Sequence, residues 1–197
     1  MSQLELNKGD NFILCGDVSG SMAEKDCPGG LARIDYMKEQ FRTFASAASD
    51  WDEDGIDLIT FGHQVKVFPN VSADKALEII NGMAASEAST DTAGAIKKAY
   101  ARHKETGSEQ TFCMIFTDGE PADRKAVQNE IIRITNDVKS EKEFRLLFLS
   151  VGKISSSLQA FLTGLDDDLK GAKHDIVDVK AIESVDFMAA VAGALTD

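Results

Sequence analysis

With 197 residues, 43% of them hydrophobic and 27% charged, the chain has the size and balance of a soluble globular domain with a sizeable core. Thirty-three acidic residues against 21 basic ones give a net charge of −12, which repels nucleic acid and anionic membranes and removes both from the expected partners. Cysteines at 15, 27 and 113 form neither a disulfide framework nor a zinc pattern. Cys15 and Cys113 fall in apolar runs, as inert core thiols do. Cys27 falls in a Gly/Pro-rich loop and is expected to be accessible. The opening "MSQLELNKGD" has no apolar signal core, and no apolar run is long enough to cross a bilayer, so a cytoplasmic location is expected.

The first apolar run, "NFILCGD", predicts a short buried strand. After a loop over 18–31, Ile34, Met37, Phe41, Phe44 and Ala48 recur at helical spacing. "GIDLITF" and "QVKVF" predict two strands joined through Gly62 and His63; glycine first in a two-residue loop predicts a type II′ hairpin. Helices are expected near 73–83 and 93–105, followed by a second buried strand, "QTFCMIFTD". Val127, Ile131, Ile134 and Val138 mark a long helix, and "FRLLFLSVG" a third buried strand. A short helix near 155–164, a weaker strand "DIVDVK" and a last helix over 183–195 complete the order. The last carries Val185, Met188, Val191 and Leu195 on one side.

Apolar strands alternating with amphipathic helices predict an α/β doubly wound fold, three layers deep, with a mostly parallel sheet and one short antiparallel edge strand. No repeat or linker interrupts the pattern, and one domain over 1–197 is expected.

In such sheets ligands bind beyond the carboxyl ends of the strands. Two strands here end in aspartate, Asp17 and Asp118, and Ser19 and Ser21 lie in the loop leaving the first. Two carboxylates with hydroxyls form an oxygen-only donor set, suited to Mg²⁺, Mn²⁺ or Ca²⁺ rather than Zn²⁺. If one carboxylate binds only through water, such a set neutralises a divalent cation poorly; it leaves a position for an outside ligand, which a partner carboxylate would fill.

The run Asp17-Val18-Ser19-Gly20-Ser21 matches the D-x-S-x-S motif of von Willebrand factor A domains. "STDTAGAI" resembles the second motif of that family, with Thr90 as the metal-side threonine, and "FTDGEP" resembles the third, with Asp118 as its aspartate. The resemblance covers essentially the whole chain. It implies a metal-ion-dependent adhesion site in which Ser19, Ser21 and Thr90 offer hydroxyls while Asp17 and Asp118 act largely through waters. The usual role is metal-dependent protein binding, in which a partner's Glu or Asp reaches the cation. In size and in lacking a secretion signal the chain looks most like intracellular bacterial members, such as the TerY-like proteins of tellurium resistance. A monomer is expected. In this family ligand binding can be coupled to movement of the final helix, and here 183–195 is the candidate. The loop "AEKDCPGGLARID" departs from the pattern, with charges and Cys27 near the site.

Other readings are weaker on the residues themselves. Thr92 is expected to cap the helix that follows it, and Glu120 and Asp123 to be solvated or at a helix N-terminus. Asp50, Asp52, Asp54 and Gly55 open like an EF-hand loop, yet the twelfth position is Phe61 instead of glutamate, so a turn into a strand is expected. "LDDDLK" reads as a charged surface loop. A weak second Ca²⁺ site at 50–55 or 166–168 is the sharper alternative. His63, His103 and His174 have no clustered partners, and Trp51 reads as a packing residue. An Mg²⁺-dependent phosphohydrolase with Asp17 as nucleophile would want a second acid two residues on, where Ser19 stands. No glycine–lysine phosphate loop or G-x-G-x-x-G occurs at a strand–helix junction, and no G-x-S-x-G surrounds a serine. A binding module is therefore expected rather than an enzyme, with a scaffold carrying a purely structural metal as the runner-up.

Overall fold

The computed structural model describes residues 10–48, 55–167, 169–182, 187 and 189. Six strands, β1 (Asn11–Asp17), β2 (Ile56–Phe61), β3 (Val65–Val71), β4 (Thr111–Thr117), β5 (Phe144–Ser150) and β6 (Val177–Ala181), form one sheet in the order β3-β2-β1-β4-β5-β6. All neighbours pair parallel except β2 with β3, which is the antiparallel edge. Five helices connect them: α1 (Arg33–Ala48), α2 (Ala73–Gly82), α3 (Thr92–Thr106), α4 (Arg124–Asp137) and α5 (Ser156–Asp166).

The strands read as unbroken apolar runs because both faces of the sheet are covered. Side chains alternate across a strand, so β1 sends Phe12 and Leu14 into one core with Met37, Phe41 and Phe44 of α1 and Ile80 of α2. It sends Ile13 and Cys15 into the other, with Ala95 and Ile96 of α3, Val127 and Ile131 of α4 and Leu158 of α5. Gly16 lets α1 come close: a Cβ there would stand 3.0 Å from Met37 Cε and 3.2 Å from a Phe41 ring carbon.

The chain order of elements follows the sequence pattern, with three local differences. The hairpin loop has three residues, since Phe61 pairs with Val65, and Gly62 lacks the positive φ of a type II′ turn. Glycine stands there for another reason: a Cβ would run into the Glu87 side chain. Cys27 is buried, 4% exposed, because its loop folds back onto the α1 side of the core. Thr92 does not cap α3; Asp91 does, accepting from Gly94 N at 2.8 Å, and Thr92 is the first helical residue. Of the expected last helix only Phe187 and Ala189 fall within the described residues. Phe187 is buried against the rings of Phe44 and Phe116, at 6.1 and 5.3 Å between centroids. Trp51 and the acidic run 50–54 lie outside the described residues.

Candidate metal centre

The strand order reverses direction between β1 and β4, so the loops leaving those two strands diverge and open a crevice at their carboxyl ends. Asp17 is the last residue of β1 and Asp118 follows the last residue of β4, which brings both carboxylates to that crevice. Backbone hydrogen bonds tie three loops around it. Gly20 N donates to Glu87 O at 2.8 Å, Asp91 N to Gly62 O at 2.8 Å, and Ala122 N to Thr90 O at 2.9 Å. The last of these draws the Thr90 segment onto the loop carrying Asp118.

The side chains form one connected set. Ser19 N donates to Asp17 Oδ1 at 2.8 Å, and Thr117 Oγ1 donates to Asp17 Oδ2 at 2.7 Å. Ser19 Oγ and Ser21 Oγ are 3.1 Å apart, and Ser21 Oγ donates to Asp118 Oδ1 at 2.9 Å. Thr90 stands beside this set, next to Gly119. A Cβ on Gly119 would lie 3.3 Å from Thr90 Oγ1, 3.6 Å from Asp17 Oδ2 and 3.7 Å from Ser21 Oγ. Oxygens from two stretches of chain, the exit of β1 and the Thr90 segment, therefore lie close to Gly119 on a third. Asp17, Ser19, Thr90, Thr117 and Asp118 are all buried. Burial pushes the Asp17 carboxyl up to about 6, with a smaller upward contribution from Asp118 and opposed by the hydrogen bonds from Ser19 and Thr117.

Two members of this arrangement carry no sequence signature. Thr117 is the strand residue before Asp118, and its hydroxyl orients Asp17. Arg33, the first residue of α1, is 5% exposed and donates from Nη1 to Asp118 Oδ2 at 2.5 Å. The same guanidinium grips Asp26 with Nε at 2.8 Å and Nη2 at 2.6 Å, and Nη2 also reaches Lys153 O at 3.2 Å. Arg33 holds the Asp26 carboxyl down to about 2. That link contributes stability above the ordinary value of 3.8 and loses it as pH falls through about 2.

The neighbouring candidates have other partners. Asp123 caps α4, accepting from Ala126 N at 2.9 Å, and Glu120 pairs with Arg124. His103 packs inside, with Nδ1 2.9 Å from Thr111 Oγ1. Asp166 lies in the last turn of α5 and accepts from Val179 N at 3.2 Å; Asp168 is outside the described residues. Among the described residues no group of three or more His, Cys, Asp or Glu is placed to hold a metal ion. The cradle at the switch point is of another kind, two carboxylates eked out by three hydroxyls. Its all-oxygen chemistry fits a small hard cation. Among the described residues no helix is long and apolar enough to cross a membrane.

No curated protein sequence matches the chain. Among solved structures it resembles the PilB minor pilin of Streptococcus sanguinis (TM-score 0.63, 11% identity, 95% of this chain and 60% of the pilin). It also resembles the manganese-loaded TRAP protein of Plasmodium vivax (TM-score 0.64, 12% identity, 95% of this chain and 74% of TRAP). A third is proximal thread matrix protein 1 of the mussel byssus with a zinc-occupied MIDAS motif (TM-score 0.60, 13% identity, 94% of this chain and 46% of that protein). The chain thus spans less than two thirds of the pilin and byssus proteins, and at these identities the likeness is one of fold. The model of the von Willebrand factor type A domain matches residues 12–120, which carry β1 through β4 and the whole cradle. The chain belongs to the von Willebrand factor type A domain family.

Proposed function

We propose that this domain is a metal-dependent protein-binding module. Asp17, Ser19, Ser21, Thr90 and Asp118 would hold a divalent cation, Mg²⁺ with Mn²⁺ or Ca²⁺ as alternatives, and a partner's Asp or Glu would complete its coordination. The observation that carries the reading is the convergence of Asp17, Ser21 and Thr90 oxygens on the space beside Gly119. Two of the structural neighbours were solved with manganese or with zinc in the motif, which supports a divalent ion here. When bound, the cation would supply a Lewis-acidic anchor for an anionic side chain. The chain's own part is positional: Ser19 N and Thr117 Oγ1 fix the two oxygens of Asp17, and Ser21 Oγ fixes one of Asp118.

Calorimetric titration of the chelator-treated protein with Mg²⁺ or Mn²⁺ should show one saturable site, lost in Asp17→Ala. No binding at millimolar cation would refute the proposal. Affinity purification with and without EDTA separates adhesion from a structural metal: partners that survive both EDTA and Asp17→Ala would favour the scaffold. A phosphohydrolase gains nothing from the geometry, since Ser19 occupies the place of the second acid.

Gly119→Ala offers a test without removing a ligand. Its Cβ would stand inside the cradle, 3.3 Å from Thr90 Oγ1. Cation affinity is expected to fall by about tenfold or more, the cost of displacing ligands by a few tenths of an ångström in a site of near-rigid geometry. The circular dichroism spectrum should stay that of the wild type. Undiminished affinity would mean that the cation sits elsewhere.

A further inference from the structure

Arg33 offers no metal ligand, yet it sits at the edge of the cradle and is built in from several sides. Its guanidinium holds Asp118 Oδ2, chelates Asp26 and pairs with Glu24 at 3.0 Å. Lys153 N donates to Asp26 Oδ2 at 2.9 Å, which closes the circle through the loop after β5. Gly152 in that loop has φ +71, and a Cβ on it would overlap Arg33 Nε and Asp26 Oδ1. The backbone at the exit of β5 is therefore shaped around the Arg33–Asp26 pair. Buried ion pairs are commonly no better for stability than apolar packing, so stability alone is a weak reason for an arginine here. Being 5% exposed, Arg33 cannot itself meet a partner protein.

What the guanidinium does touch is one of the two carboxylates of the cradle. Asp118 is divided: Oδ1 accepts from Ser21 at the cradle and Oδ2 accepts from Arg33 behind it. A cation in the cradle and the guanidinium would face each other across a single carboxyl group.

We propose that Arg33 sets the cation affinity of this cradle: its fixed charge, shared among Asp118, Asp26 and Glu24, keeps the site weak and exchangeable, so that a partner's carboxylate is needed to hold the ion firmly. This rests on the metal-binding reading above and adds a positioning residue to it. Arg33 orients Asp118 so that only Oδ1 faces the cradle, and it offsets part of that carboxylate's charge. Even with water-like screening, repulsion between a divalent and a monovalent cation across so short a gap is worth about a factor of ten in affinity. The orienting effect is the smaller one, because Ser21 Oγ still fixes Oδ1 when Arg33 is gone.

Calorimetric titration with Mn²⁺ of wild type, Arg33→Gln and Arg33→Lys tests this. Arg33→Gln removes the charge and is expected to bind about tenfold tighter. Arg33→Lys keeps the charge but loses the fork, and is expected to stay within about threefold of wild type. A purely structural Arg33 predicts weaker binding in both. Arg33→Gln that binds equally or more weakly overturns the proposal. If Arg33→Gln does not fold by circular dichroism, Arg33→Lys decides. Wild-type affinity supports a role in charge, and a loss beyond about threefold overturns it. Failure of the metal reading itself looks different, because then the wild type binds no Mn²⁺ and both proposals fall.

Discussion

Asp17→Asn is expected to abolish divalent-cation binding and, at pH 8 in EDTA, to make the protein more stable than wild type by up to about 3 kcal/mol. The two effects have one origin. Asp17 is fully buried, and burial raises its carboxyl from 3.8 to about 6. A carboxyl whose pKa is higher folded than unfolded binds protons more tightly when folded. Its stabilising contribution is present below 3.8 and is lost as pH rises through about 6. At pH 8 the metal-free protein carries an ionised carboxylate in a place that disfavours it, and the neutral amide removes that penalty. The polar contacts tolerate the change: Ser19 N can still donate to the amide oxygen, and the Thr117 hydroxyl can turn to accept from the amide nitrogen. Urea unfolding in EDTA at pH 4.5 and pH 8 measures it. The advantage of the variant should be about a third as large at the lower pH as at the higher. A wild type as stable as the variant at pH 8 would refute the burial argument.

This places Asp17 and Arg33 in complementary roles. Asp17 is a charge that the fold leaves under-compensated, which the proposed cation would offset. Asp118 is a charge that the fold already compensates through Arg33. Both carboxylates are hydrogen-bonded, but only Asp118 is paired with a cationic side chain.

The sheet was largely legible in the sequence because strands buried on both faces read as continuous apolar runs, and "NFILCGD", "QTFCMIFTD" and "FRLLFLSVG" all do. The crevice was legible because two such runs end in aspartate. Arg33 was not, since an arginine at the start of a helix has no periodic or motif signature, and its partner Asp118 is 85 residues away. Thr117 was hidden in a strand pattern that any β-branched residue satisfies. Gly62 and Cys27 depart from the sequence pattern for one shared reason. Local turn composition points to a two-residue hairpin and an accessible loop, whereas their environments are set by chain from elsewhere, Glu87 in one case and the α1-side core in the other. Thr92 was given the cap that Asp91 holds, a one-residue difference that local pattern cannot resolve.

Arg102→Met is expected to lower stability by about 3–5 kcal/mol without changing cation affinity. Asp57 lies near the start of β2, at the opposite end of the sheet from Asp17, and its side chain is 1% exposed. Arg102 of α3 holds both its oxygens, at 2.9 and 3.2 Å, and also reaches Asn70 Oδ1 at 2.8 Å. Asn70 has φ +49 and donates its backbone N–H to Asp57 Oδ1 at 2.8 Å. The carboxylate thus fastens the edge strand β3 and helix α3 to the centre of the sheet. Truncating Arg102 leaves a buried charge with one backbone donor, the circumstance in which breaking a buried pair is most costly. Asp57→Leu combined with Arg102→Met should recover a good part of the loss, because it removes the stranded charge. Additive losses in the double variant would show that the strap, and not the charge, is what matters. These residues touch none of the cradle's side chains, so Mn²⁺ affinity is an independent readout. A change in Mn²⁺ affinity would then mean that the two ends of the sheet are coupled, whereas unchanged affinity leaves the cradle governed by its own loops and by Arg33.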